Sequence, residues 1–190
     1  MKLILAQGNP GNKYSDTRHN VGFAALDYFA AKNSLSFTDK SKLKAEIAEL
    51  TIGDEKVLLI KPTTFYNETG QSARAIVDFY KINPADDLLV IHDDIALPFM
   101  TLRVREKGSA AGNNGIKSLN AHLGPDYWRL RVGIYNDMRD RLHDADFVLG
   151  KFSTSEQAQL KSYIFKTCAD VIDDFIAGRL APTSLVHSAT

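Results

Sequence analysis

The stretch Leu88–Ile91 (LLVI), followed at once by His92, Asp93 and Asp94, constrains the fold of this chain more than any other segment. An unbroken apolar run of that length has no polar face to offer to water, so it reads as a central strand covered on both sides. Covering both sides requires amphipathic helices, and the sequence supplies them. From Asn20 onward, Val21, Ala24, Ala25, Tyr28 and Phe29 recur at helical spacing, which predicts a helix to about Lys32. Ala73, Ile76, Val77 and Tyr80 mark a second helical face, in a region ended by Pro84, and a shorter helix is expected from about Ile116 to His122. Ser153 and Glu156 form a capping-box pattern that opens a long helix reaching about Gly178. Leu3–Gln7 reads as another buried strand, broken by Gly8-Asn9-Pro10-Gly11, while Leu102–Arg105 and Arg129–Ile134 read as two more. Lys44–Thr51 and Lys56–Ile60 flank Gly53-Asp54 as a hairpin. The expected class is α/β: a single domain over residues 1–190, with a twisted mixed β-sheet flanked by helices on both faces.

Charge and cysteine content exclude several functions. Lysine plus arginine and aspartate plus glutamate each number 23, so the net charge is zero and a polybasic mode of nucleic-acid binding is excluded, although a local basic patch is not. Cys168 is the only cysteine, which excludes an intramolecular disulfide and a thiolate-rich zinc site and suits a reducing compartment. The N-terminal apolar run is too short for a signal peptide, and no stretch approaches the roughly 20 apolar residues that span a bilayer. A cytosolic location is therefore expected.

Polar residues follow the expected strands directly: Asn9 after the first, Lys61 to Asn67 after the hairpin, Asp93-Asp94 as the cap of the central strand. In open α/β sheets, that is where ligands bind. Strand alternation puts Leu89, Ile91 and Asp93 on one face, so Asp93 continues an inward row and needs a basic residue, backbone amides or an imidazole as partner. The competing reading is a plain strand-end cap. His19, just ahead of the first helix, is the histidine best placed to act as a general base, and a carboxylate on its ring would set its tautomer and raise its basicity. Its competing reading is a structural or solvated side chain. His92 has the opposite strand parity to Asp93.

No strong nucleophile stands out. Cys168 falls among apolar residues of the C-terminal helix, and the chain lacks both a G-x-S-x-G elbow and a P-loop. The acidic pairs are not joined by histidines at ligand spacing, so no metal and no cofactor is expected. Catalysis would then proceed by direct attack of water. Asn9, Asn67, Asn113 and Asn114 lie in loops or at helix starts, where neutral amides can grip a peptide-like substrate or simply serve as turn residues. Arg103, Arg105, Lys107, Lys117, Arg129 and Arg131 form a locally basic stretch, readable as a phosphate clamp or as a solvated face.

Six segments in order carry a resemblance that covers essentially the whole chain: GNPGNKYSDTRHNVGF from Gly8, KPTTFYNETG from Lys61, HDDIALP from His92, GNNGIKSL from Gly112, WRLRVGI from Trp128 and DFVLGKFS from Asp146. The sequence resembles the bacterial peptidyl-tRNA hydrolases. The resemblance implies a monomeric, metal-independent, cytosolic esterase that cleaves the ester between a peptide and the terminal ribose of tRNA. Its partner would be peptidyl-tRNA, met at the acceptor arm, the 5′-phosphate and the CCA end, with no membrane and no obligate protein partner. By this match His19 is the general base, Asp93 its supporting carboxylate, and Asn9 the residue that helps tell N-blocked from free aminoacyl groups. Tyr14, Phe65, Asn67 and Asn114 would line the site, and Arg105 and Arg131 would clamp the 5′-phosphate.

The chain departs from the family pattern at several points. Asn113 stands where the family usually has histidine, and it can hydrogen-bond but cannot titrate near pH 7. Lys107-Gly108-Ser109-Ala110-Ala111 replaces a glycine-rich run, Tyr66 stands where methionine is common, and Phe99-Met100 stands where the family usually has a proline-glycine or similar turn. These departures keep a rival class in view, a catalytically silent RNA-binding relative of the same fold. A hydrolase of some other acylated small molecule is the second rival.

Overall fold

The computed structural model describes residues 1–187 and places the LLVI run inside a strand far longer than the run itself, Leu88–Pro98. In chain order the elements are β1 (Lys2–Ala6), α1 (Val21–Lys32), β2 (Thr38–Lys40), β3 (Ala45–Ile52), β4 (Glu55–Pro62), α2 (Thr69–Tyr80), α3 (Pro84–Asp87) and β5 (Leu88–Pro98). They continue as β6 (Thr101–Lys107), α4 (Asn114–Leu123), β7 (Asp126–Tyr135), α5 (Asp144–Leu149), α6 (Thr154–Gln159), α7 (Phe165–Ile176) and β8 (Thr183–Val186). The strands form one sheet in the order β2-β3-β4-β1-β5-β7-β6-β8. Its centre, β4-β1-β5-β7, is parallel, and the flanking pairs on both sides are antiparallel.

Alternation along β5 divides the core. Leu89 and Ile91 join Ile4 and Val132 under α1 and α7, whereas Leu88 and Val90 join Leu5 and Ile60 under α2 and α4. Helices thus cover both faces, and the α/β single-domain expectation holds. The hairpin also forms as expected, with Ile52 and Glu55 closing its turn.

Several boundaries differ, each for a local reason. Asp93 and Asp94 do not cap β5; they lie within it, because β7 goes on pairing with β5 through Gly133. Pro84 opens the short α3 behind Asn83, as a proline can at a first helical position. The C-terminal helix begins at its capping box, as expected, but passes through a π-helical segment, Leu160–Ile164, before α7. β2 and β8, at the two edges of the sheet, are short, β2 (TDK) wholly and β8 (TSLV) half polar, and the sequence pattern predicts neither.

The seating of α1 matters most for the site. A Cβ on Gly22 would come within 2.7 Å of the backbone oxygens of both Gln7 and Ile91. Glycine therefore lets the first turn of α1 rest directly on the ends of β1 and β5, and the residues just before α1 arrive above Asp93.

Candidate active site

β1 pairs with β5 only as far as Ala6 opposite Ile91. Beyond that point the chain after β1 turns away, and β5 keeps β7 alone, so a notch opens at the carboxyl ends of the parallel strands. Asp93 faces this notch on the α1 side and is 2% exposed. His19 lies in a single 3₁₀ turn, Arg18–Asn20, immediately ahead of α1. Both neighbours of His19 are anchored. The buried Arg18 donates through Nη1 to the Lys151 carbonyl at 2.8 Å, pairs with Glu156 at 3.2 Å, and packs on the rings of Phe147 and Phe152. Asn20 exchanges two bonds with Asn9: the Asn9 N–H donates to Asn20 Oδ1 at 2.8 Å, and Asn20 Nδ2 donates to the Asn9 carbonyl at 2.9 Å.

The histidine held in this way meets the carboxylate that β5 delivers: His19 Nδ1 lies 3.0 Å from Asp93 Oδ2. An ionised carboxylate only accepts, so Nδ1 carries the proton and Nε2 carries the lone pair. His19, Asp93, Asn9, Phe65, Asn67 and Asn114 line one cleft of about 770 Å³. Asn9 Oδ1 accepts the Tyr66 backbone N–H at 2.9 Å, which leaves its amino group as the half that faces the cleft. Phe65 is exposed at the rim. Tyr14 does not join this lining; it ends the 3₁₀ turn Asn12–Tyr14 and carries the Lys13 ammonium 4.7 Å above its ring.

Tyr66, noted in the sequence only as a departure, stands at the centre of the arrangement. Its ring stacks on the His19 imidazole, with centroids 3.5 Å apart and planes 14° from parallel. Its hydroxyl donates a short hydrogen bond to Asp93 Oδ1, the oxygen that His19 does not use. Asn113, the other departure, donates from Nδ2 to the Tyr66 hydroxyl at 3.0 Å, while its Oδ1 accepts the Ile116 N–H and so caps α4. Burial, reinforced by the Asp93 charge, pushes the Tyr66 phenol well above its ordinary range, so it stays a proton donor. Gly115 makes room for it, since a Cβ there would collide with the Tyr66 ring and with Gln7 Nε2. A buried phenol needs a partner, and that was the one sequence signal for this role; the loop path that supplies the partner is tertiary.

The basic stretch resolves differently. Register pairs Arg103 with Arg131 and Arg105 with Arg129, so the alternation seen in each strand puts all of them on one face of β6–β7. Arg129 is buried and donates to the carbonyls of Ser109 and Pro125 and to Asn120 Oδ1; burial lowers its pKa. Arg131 is paired with Asp94 at 2.5 Å. Arg105 donates through Nη1 to the carbonyls of Val104 and Thr183. Arg105 and Arg131 line the same cleft as His19. Between the two ends lies His92, on the face opposite Asp93 as its parity predicts. Its Nδ1 donates to the Asp93 carbonyl at 2.8 Å, its buried Nε2 has no partner among the described residues, and burial depresses its pKa to about 4.

A family model described as Peptidyl-tRNA hydrolase matches residues 3–188 of the chain. A peptidyl-tRNA hydrolase of Leuconostoc mesenteroides is 42% identical over 183 residues, 96% of each chain. One from Gloeobacter violaceus is 40% identical over 190 residues, covering 100% of this chain and 94% of the relative. Among solved structures, the peptidyl-tRNA hydrolase of Acinetobacter baumannii superposes with a TM-score of 0.85 at 29% identity, over 94% of this chain and 90% of that one.

Proposed function

The chain belongs to the peptidyl-tRNA hydrolase family, ester hydrolases of peptidyl-tRNA, and from that premise we propose how its own residues carry out the cleavage. His19 Nε2 takes a proton from a water molecule, and that water attacks the carbonyl of the ester joining the peptide to the 3′-terminal ribose of tRNA. The ribose oxygen leaves with the tRNA. The observation that carries this reading is the 3.0 Å contact between His19 Nδ1 and Asp93 Oδ2, which turns the basic nitrogen toward the cleft. Asp93 holds the tautomer and balances the imidazolium as it forms, and such general-base catalysis contributes about 10²–10⁴-fold. An ester is labile enough that no covalent nucleophile is needed.

The asparagines supply the specificity. Asn9 presents an amino group beside the base, and Asn67 and Asn114 add amides along the cleft. Neutral amides suit a substrate whose amino group is acylated, whereas a free ammonium would lose its water without gaining a counter-charge. Arg105 offers the acceptor arm a guanidinium held only by carbonyls, so its charge is available to a 5′-phosphate. Arg131 must release Asp94 to do the same. A substrate released from ribosomes puts the enzyme in the cytoplasm, and we read it as acting as a monomer. Among the described residues, no helix is long and apolar enough to cross a membrane.

The test compares N-acetyl-aminoacyl-tRNA with the same aminoacyl-tRNA unblocked. The wild type is expected to deacylate the blocked substrate selectively, and His19→Ala to lose about 10²–10⁴-fold in turnover while still binding tRNA. Tight tRNA binding without any cleavage by the wild type would instead identify a silent RNA-binding relative.

A further inference from the structure

We propose that Tyr66 is a positioning residue for the His19–Asp93 pair: its hydroxyl occupies the second oxygen of Asp93 and its ring supports the imidazole, so that the pair is held in place to accept a proton from water. The proposal rests on the reading of His19 as the base. It goes beyond that reading by assigning the state of the pair to a third side chain.

The argument starts from the carboxylate. Asp93 is buried and must satisfy two oxygens. Oδ2 receives the imidazole N–H and Oδ1 receives the phenol. The two donors are not needed equally at all times. While the imidazole is neutral, the carboxylate holds its charge with no cation on its ring partner, and the phenol is then its strongest source of stabilisation. Once the imidazole is protonated, the ion pair supplies much of what the phenol supplied. Removing the phenol therefore penalises the neutral-imidazole state more, and the pair takes up a proton more readily. A histidine already protonated cannot act as a base. The Tyr66 hydroxyl thus keeps a buried aspartate from holding its histidine in the wrong charge state.

The surroundings fit this role. Asn113 Nδ2 donates to the Tyr66 oxygen, so the phenol proton is directed at Asp93 and its bond is strengthened by the chain of donors. The stacked ring limits rotation of the imidazole and offers its face to the cation formed during turnover. The backbone N–H of Tyr66 is bound to Asn9, which ties the same residue to the substrate side of the cleft. The other charged or titratable groups around the pair are Arg18, paired with Glu156, in the same turn as His19, His92 and Asp94 from β5, Arg105 and Lys107 from β6, Arg129 and Arg131 from β7, and Asp144 from α5 at the rim. All of them are unchanged in a Tyr66 variant, so a difference in pH response reports on Tyr66.

The experiment compares Tyr66→Phe, which keeps the ring, with Tyr66→Leu, which removes it, after thermal unfolding has verified that both fold. Tyr66→Phe is expected to keep KM within about twofold and to lose about three- to tenfold in kcat at neutral pH. The acidic limb of its pH–rate profile should move upward by about one pH unit or more, with wild-type turnover recovered at the alkaline end. Tyr66→Leu should lose turnover across the whole range. A second readout is independent of turnover: the downfield Nδ1–H resonance of His19, identified by its absence in His19→Ala, should shift in Tyr66→Phe. If Tyr66→Phe does not fold, Asn113→Ser keeps the cap on α4, removes the donor to Tyr66, and should move the limb the same way by less. A superimposable pH–rate profile and an unmoved resonance overturn the proposal. Full turnover in His19→Ala overturns the base reading instead.

Discussion

The two ends of the cleft are built on opposite rules. At the end formed by β1, β5 and the turn before α1, the base and its carboxylate are held by groups that are themselves held: Arg18 and Asn20 anchor the turn of His19, Tyr66 and His19 share Asp93, and Asn113 fixes Tyr66. At the β6–β7 end the side chains are cations on one sheet face, and their partners are backbone carbonyls, neutral side-chain oxygens or a single carboxylate. The difference follows from the tasks. Proton transfer slows by about 10²-fold when donor and acceptor are misplaced by about 1 Å, whereas attraction of a phosphate needs charge and tolerates movement. One end is therefore specified by hydrogen bonds and the other by electrostatics.

The largest expected effect breaks the first end. Asp93→Asn is close to the same size but places an amide where the imidazole and the phenol each need an acceptor. Turnover should fall by about 10²–10⁴-fold while tRNA affinity stays close to wild type. Lost affinity at normal turnover would make Asp93 a structural residue and erase the contrast. An intermediate effect concerns the ground between the two ends. His92 titrates at about 4 when folded and near 6.5 when unfolded, because burial disfavours its charged form. Its folded pKa is depressed, so the unfolded chain binds the proton first, and stability is lost as pH falls from about 6.5 to about 4, by up to about 3 kcal/mol. Urea titrations across that range should slope for the wild type and flatten for His92→Gln; parallel curves would count against a neutral buried His92.

The smallest effect separates the two arginines. Arg105→Ala should flatten the salt dependence of tRNA binding by about 0.7–0.9 in log–log slope, one phosphate contact. Arg131→Gln should change it by less than half as much, since Asp94 already neutralises that charge. Equal slopes for the two variants would mean that Arg131 leaves Asp94 for the phosphate when tRNA binds.

The same contrast governs what could be read from the sequence. The helix ahead of which His19 sits, and the alternation that turns Asp93 inward, are local patterns, so both members of the central pair were legible, as was the layered α/β class. Tyr66 was visible only as an unusual residue, because its role depends on a 3₁₀ turn from one loop meeting a cap from another. Alternation in β6 and β7 was legible strand by strand, but the antiparallel register that merges the arginines on one face is a long-range fact, as is the claim of Asp94 on Arg131. Asp93 and Asp94 lie inside β5 and do not cap it, because pairing with β7 continues past the apolar run that marks the strand in the sequence.

The reciprocal bonds between Asn9 and Asn20 have a consequence for motion. Each residue uses its neighbour to satisfy its own backbone or amide, so the loop after β1 and the turn carrying His19 cannot open separately without leaving buried polar groups unpaired. In terms of local unfolding, these two loops belong to one cooperative unit with the ends of β1 and β5, and their amides exchange with solvent only when that unit opens. Although they are loops by shape, they behave as part of the framework. The Lys107–Gly112 segment and α5, which line the other side of the cleft, lie outside these reciprocal bonds.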